Sequence, residues 1–337
     1  MHREQVPLTE PTWGQRSWRA MGSTAEVVVF GSNSQDLVNW AVYEIDRLET
    51  CWSRFQPASE LCELNRQAGT TVRVSETLWM ALLAAKSAWS ETGGLFDPSI
   101  LSALVALGYD RTFSDVANQH EAIAAPAPAP GFGSVRVDHA TKDVFVPKGT
   151  GLDLGGIGKG LAADMVVDGL IAQGARSVAV SMGGDIRVAG EGPHGDRAWL
   201  IPVHRPTDDV LIGTFPLVGE ALVQSTTCFR TWTRSGQTLH HLIDPATGWP
   251  ADTGLVSVIV TGPSAARSEA FAKAALIAGW SAGQALVEGA DLDGWFIGSD
   301  GQVVGTSRVR DDLDPASPGG DQVGIAAGIV QDTTRHV

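Results

Sequence analysis

The stretch Asp153-Leu154-Gly155-Gly156-Ile157-Gly158-Lys159-Gly160 gathers a carboxylate, a lysine and four glycines just ahead of an apolar, helix-like run. Glycine lets the backbone come close to a ligand, while the free N–H groups of a helix N-terminus and an ammonium supply positive potential. Such a loop suits the holding of an anion, phosphate above all. Two familiar phosphate loops do not describe it. Gly160 follows Lys159 where a P-loop has Ser or Thr, and Leu161 stands where a dinucleotide fingerprint counted from Gly156 needs its last glycine. The alternative is a glycine-rich strand-to-helix turn with a solvated lysine.

Three more loops set glycine beside a carboxylate: Gly93-Gly94 ahead of Asp97, Gly183-Gly184-Asp185, and His240-His241-Leu242-Ile243-Asp244-Pro245-Ala246-Thr247-Gly248. Taken singly each is turn punctuation. Together they describe close backbone approach at several strand ends, which a large nucleotide-like ligand requires. His241 sits in such a loop with a carboxylate nearby, so it could relay a proton or contact a phosphate; a surface histidine is the alternative. Glu269 and Lys273 lie i, i+4 on an alanine-rich segment, which by itself reads as an exposed helical ion pair.

These residues need elements to position them. Ala25 to Phe30 reads as a strand, and the apolar stripe Leu37, Trp40, Ala41, Ile45 and Leu48 predicts a helix over 35–52. A second helix runs from about Ser75, its N-cap, to Trp89. Residues 59–65 are short and mixed, and 124–131, rich in Pro and Ala, form a surface excursion or linker. Residues 134–137 and 144–146 predict a hairpin. Helices follow over Leu161–Ile171 and Ala265–Trp280, with strands at 177–181, 199–203, 221–224 and 255–261 and a last hairpin at 294–304. Residues 1–16 read as a flexible arm, 17–310 as one domain and 311–337 as a poorly ordered tail. Strands mixed with four substantial helices give an α+β class.

The chain of 337 residues has a net charge of −14 and no cluster of basic residues, which argues against a nucleic-acid partner. An acidic protein that binds polyphosphate must concentrate its cations locally, which raises the interest of Lys159. Cys51, Cys62 and Cys228 are few, odd in number and without metal-ligand spacing, so a reducing compartment is expected. The N-terminal residues lack an apolar signal region and no apolar run reaches the roughly 20 residues of a span. The expectation is a cytoplasmic protein without membrane insertion.

With these segments in hand, the chain resembles the FAD:protein FMN transferases, the ApbE-type flavin transferases. The likeness runs from about Trp18 to Val309. It rests on Ala20-Met21-Gly22-Ser23, Ser59-Glu60-Leu61 through Leu64-Asn65, Phe96-Asp97-Pro98, Asp153 through Asp164, Met182-Gly183-Gly184-Asp185-Ile186 and His241 through Gly248, in that order. It implies an α+β fold related to the T-fold, with mixed or antiparallel sheets and two lobes around a nucleotide cleft. It implies that FAD is split, that FMN is joined through its phosphate to a threonine of an acceptor protein, and that AMP is released. Met21 and Phe55 would lie against the flavin or adenine rings. Phe96, Asp97, Asp153, Lys159, Gly183, Gly184, Asp185 and Asp244 would line or hold the nucleotide, and His241 would be the acid/base or phosphate-contacting residue.

The family uses magnesium, held by a glycine-loop carbonyl and by Asp and Thr side chains spaced i, i+4. Here the carbonyl falls at Gly156, but Glu269 stands for the Asp and Lys273 for the Thr. Two readings follow. Either Lys273, paired with Glu269, places a fixed ammonium near the cation position and replaces magnesium, or Glu269, Gly156 and ligand oxygens still bind it. Phe55, where many relatives have Tyr, loses a hydroxyl and keeps the ring. FAD hydrolysis to FMN and AMP, and flavin binding without transfer, are the competing functions.

Overall fold

The computed structural model describes residues 11–116 and 123–309. The chain opens with β1 (Thr12–Ala20), β2 (Ser23–Gly31), α1 (Ser34–Trp52), α2 (Glu60–Arg66), β3 (Thr71–Arg73), α3 (Glu76–Glu91) and α4 (Leu101–Ala106). Next come β4 (Arg136–Val137), β5 (Asp143–Phe145), α5 (Gly158–Ala172), β6 (Ser177–Met182), β7 (Asp185–Ala189), β8 (Trp199–His204), β9 (Leu211–Leu217) and β10 (Ala221–Thr226). The last part holds β11 (Thr231–Arg234), β12 (Gln237–His240), β13 (Leu255–Gly262), α6 (Ala265–Ala278), α7 (Trp280–Gly289), β14 (Asp293–Gly298) and β15 (Val303–Gly305).

Eight strands form the main sheet in the order β1-β2-β6-β7-β10-β13-β14-β15, and each neighbouring pair is antiparallel. Alternation along each strand sends side chains to opposite faces. Val27, Val29, Val178 and Val180 meet α1 and α5 on one face. Val28, Ala179 and Val188 meet Trp199, Ile201, Phe215 and Leu217 of the β8–β9 hairpin on the other. Both faces are therefore covered, which explains why β6 is buried along its whole length.

A second layer carries the site. α1, α2, α3, α5 and α6 enclose a core around Leu48, Leu61, Leu82, Leu154, Ala162 and Ala270, closed by the small sheet β3-β5-β4. α5 and α6 pack closely because Gly160 has no side chain: a Cβ there would lie 2.4 Å from the Ala265 carbonyl oxygen. The same approach brings Lys159 to Glu269.

Several sequence expectations shift. Residues 12–16, expected in a flexible arm, lie in β1, where every residue pairs with β2; residues 1–10 and the tail from 310 lie outside the described residues. The mixed segment 59–65 contains α2, capped by Ser59 Oγ accepting from the Cys62 N–H at 3.1 Å. The alanine-rich helix stops at Ala278 rather than Trp280, since Gly279 takes φ 82° and Trp280 begins α7. α5 starts at Gly158, so Lys159 and Gly160 belong to its first turn. The Pro/Ala excursion is docked as well as superficial: the Ala129 N–H donates to the Pro245 carbonyl at 2.8 Å, and Ala127 sits where a Cβ on Gly248 would clash.

Candidate functional site

A cleft enclosing about 650 Å³ of space, part of it open to solvent, lies where the glycine loop before α5, the C-terminal half of α6, the segment before α4 and the His241 loop converge. Its wall divides by chemistry. Phe55, Ile100, Leu104 and Tyr109 cluster on one part, aromatic and apolar, with Arg54 lying against the Phe55 and Tyr109 rings. Gly155, Gly156, Arg230, His241 and Lys273 make the other cationic and rich in backbone.

Two carboxylates on the wall are committed to holding it in shape. Asp97 accepts from the Ser99 N–H at 2.8 Å, the Trp89 indole N–H at 3.1 Å and the Phe132 N–H at 3.2 Å. This ties the end of α3 to the following turn. Asp153 accepts from the Gly155 N–H at 2.6 Å and from Arg54 Nε at 2.8 Å, which fixes the glycine loop. The Arg54 guanidinium lies 4.0 Å from the Phe55 ring centroid and 4.5 Å from that of Tyr109.

Beneath the cationic end lies a buried network. Lys159 donates to Asp185 at 2.6 Å and also to Glu269, and Lys273 donates to Glu269 at 2.9 Å. The second Glu269 oxygen accepts from the Gly160 N–H at 2.8 Å. The i, i+4 pair that reads as exposed from spacing is thus interior: Glu269 is fully buried and Lys273 nearly so. Burial alone would raise the Glu269 carboxyl, but Lys159 and Lys273 hold it down to about 2. Burial would lower the Lys159 ammonium, and Asp185 and Glu269 together pull it above its ordinary value. Lys273 goes the other way, lowered by burial with only partial compensation from Glu269. Burial likewise pushes the Asp185 carboxyl up against the pull of Lys159.

His241 lines the cleft, and its Nδ1 is buried with no hydrogen-bond partner among the described residues. Burial, then the positive charges of Arg230 and Lys273, with His240 and Lys159, press its pKa well below the usual histidine value. It is therefore neutral near pH 7 and able to take a proton. Its neighbour His240 is structural: its Nε2 lies 3.1 Å from the Ala251 carbonyl and its Nδ1 accepts from the Leu242 N–H at 3.3 Å.

The cleft gathers seven of the residues picked from sequence: Phe55, Phe96, Asp97, Asp153, Gly156, His241 and Lys273. Lys159, Asp185 and Glu269 stand behind the wall, joined to it through Lys273. Gly183 and Gly184, with φ 64° and 92°, form the tight β6–β7 turn beside Ser23, off the cleft wall. Met21 caps the β1–β2 turn, its N–H donating to Glu49 at 2.8 Å. Asp244 organises its own turn, accepting from the Ala246 N–H at 2.9 Å and Thr247 Oγ1 at 3.1 Å. Sequence reasoning missed Arg54, Tyr109 and Arg230. Arg54 and Arg230 lie in stretches without a glycine or histidine to draw attention, Tyr109 follows a lone Gly108, and only folding brings the three to one wall.

A family model described as the ApbE family matches residues 21–296. An FAD:protein FMN transferase of Klebsiella pneumoniae (strain 342) is 28% identical over 307 residues, which cover 89% of this chain and 93% of that protein. One of Treponema pallidum (strain Nichols) is 29% identical over 322 residues, covering 88% and 87%. The crystal structure of the ApbE protein of Thermotoga maritima has the same fold, with a TM-score of 0.80 at 22% identity over 90% of this chain and 100% of that one.

Proposed function

Because the chain belongs to the ApbE family, we propose that it transfers the FMN half of FAD to a threonine hydroxyl of an acceptor protein and releases AMP. The observation that carries this reading is the make-up of the cleft lining: aromatic and apolar side chains, Phe55, Phe96, Tyr109 and Ile100, beside Arg230, Lys273, glycine backbone and a neutral histidine. A dinucleotide has matching parts, flat rings joined by a diphosphate.

The threonine oxygen attacks the phosphorus of the FMN half. The new P–O bond forms as the bond to the bridging oxygen breaks, and the electron pair leaves with AMP. The hydroxyl proton passes to His241. Phosphoryl transfer of this kind depends more on positioned positive charge than on a strong base. Lys273 supplies such charge at the wall, and Glu269 and Lys159 hold it in place.

The donor set here does not fit magnesium. One Glu269 oxygen already accepts from two ammonium groups and the other from the Gly160 N–H, while Lys273 is a protonated group that offers no lone pair. No step is therefore routed through a metal, and Lys273 takes the part of a fixed cation. The three cysteines are free, which supports a reducing, cytoplasmic setting, and no helix among the described residues is long and apolar enough to cross a membrane.

The test incubates the protein with FAD and a threonine-containing acceptor. Transfer adds the mass of FMN to the acceptor and releases AMP in equal amount. AMP with free FMN would mean hydrolysis, and intact FAD would mean binding alone; either result refutes the reading. His241→Ala should lower transfer by roughly 10²-fold or more while FAD stays bound, as loss of a general base does.

A further inference from the structure

Charge bookkeeping around the cleft singles out one group. Arg54 is neutralised by Asp153, Lys159 by Asp185 and Glu269, and Lys273 by Glu269. Arg230 also lines the cleft, yet among the described residues its guanidinium makes one polar contact, a long bond of 3.4 Å from Nη2 to the Gly22 carbonyl oxygen. No carboxylate meets it among the described residues. A guanidinium has five N–H donors, so most of this one's hydrogen-bonding capacity faces the opening.

The backbone is arranged to put it there. Arg230 takes φ 50°, a left-handed conformation that an ordinary side chain adopts at a cost of about 1 kcal/mol, and such strain persists where the surroundings impose it. It stands one residue before β11, whose partner β12 leads directly into His241. Opposite, the Gly22 carbonyl belongs to the β1–β2 turn. Arg230 thus reaches toward the β1–β2 turn from the part of the lining that also carries His241 and Lys273, close enough for its charge and that of Lys273 to act together on His241.

We propose that Arg230 is a catalytic residue of this cleft: it clamps the diphosphate of the bound dinucleotide and neutralises the charge that collects on the departing phosphate. This rests on the transferase reading for the leaving group, but not for the clamp itself, which needs only a diphosphate ligand. The chemistry favours Arg over the buried lysines for this task. Lys159 is held behind the wall by Asp185 and Glu269, and Lys273 offers a point charge partly offset by Glu269, whereas a partly exposed guanidinium without a carboxylate can give two parallel N–H bonds to phosphate oxygens. As the P–O bond to AMP breaks, its electron pair stays on the AMP phosphate, and the Arg230 charge meets it there.

The experiment compares wild type with Arg230→Gln, Arg230→Lys and Arg230→Ala, using flavin fluorescence titration with FAD and with riboflavin and measuring AMP release. The Gln variant should bind FAD at least tenfold more weakly, since both charge-assisted hydrogen bonds are lost, and riboflavin as wild type does. AMP release by the Ala variant should recover with added guanidinium, which a merely structural role would not produce. The Lys variant, keeping the charge, should retain FAD affinity within a few-fold. Equal weakening of riboflavin and FAD, or FAD affinity and AMP release within twofold of wild type in the Gln variant, overturns the proposal. Should the Gln variant fail to fold, unchanged FAD affinity in folded Ala, or absence of guanidinium rescue, overturns it equally. A wild type that binds FAD through Arg230 yet labels no acceptor would overturn the transferase reading alone.

Discussion

Glu269→Gln is the perturbation that tests the buried network most directly. The substitution keeps size and hydrogen-bonding atoms but removes the charge that neutralises Lys273. Lys159 still has Asp185 at 2.6 Å, whereas Lys273 has no other carboxylate partner among the described residues. Stranding a buried ion of this kind costs about 3–5 kcal/mol. The cost has a ceiling, because a stranded lysine can instead release its proton. From an ordinary lysine pKa near 10.4, deprotonation at pH 7 costs about 4.6 kcal/mol, and at pH 9 only about 1.9 kcal/mol. The sign follows from linkage: the variant's folded Lys273 would titrate below the unfolded value, so the unfolded state binds more protons and stability rises with pH in between. Guanidinium unfolding at pH 7 and pH 9, with EDTA present, measures both. The variant should lose about 3–5 kcal/mol at pH 7 and roughly half of that or less at pH 9. Adding Lys273→Met should recover most of the loss, since no buried charge then lacks a partner. A deficit below about 1 kcal/mol at pH 7, or the same deficit at both pH values, would refute the network as a buried ion cluster.

Two further outcomes are expected. AMP release should be unchanged in EDTA, because Lys273 holds fixed charge where a metal would otherwise be needed; loss in EDTA with return on adding magnesium would sink that reading. The His241 pKa is pressed down by burial and by Arg230, Lys273, His240 and Lys159, so the neutral base persists as pH falls. Transfer should accordingly stay level through about pH 6.5, the ordinary histidine value, and fail only well below it; a half-loss near that pH would contradict the assignment.

The likeness of this chain to its relatives was legible in short motifs, because each motif solves a local problem. The glycine loop permits close approach, the Asp244 turn needs an Asp that bonds its own backbone, and Ser75 caps a helix whose first turn has open N–H groups. α1 and α3 were equally readable, since a helix that buries one face writes that face into the sequence at i, i+3 and i+4. β7, β9 and the β11–β12 hairpin were not, because their sequences mix polar and apolar residues, with Gly and Pro inside β9, and show no clean β-branched run, although each pairs with a neighbour in the chain.

The candidate site divides along the same line. Residue type and spacing marked Asp153, Lys159 and His241 as groups able to do chemistry and set the pairing of Glu269 with Lys273, whose place at the site came only from the resemblance to the flavin transferases. What spacing could not contain was burial. It is the approach of α5 to α6 at Gly160 that turns a weak surface pair into a buried cluster of two lysines and two acids. Burial raises the energy of an unpaired charge from tenths to several kcal/mol, so the same four residues act in a different electrostatic regime once packed. Arg230 shows the limit most plainly. Nothing in its sequence neighbourhood separates it from the other arginines, and only the fold decides which of them reaches the cleft with no carboxylate against it among the described residues.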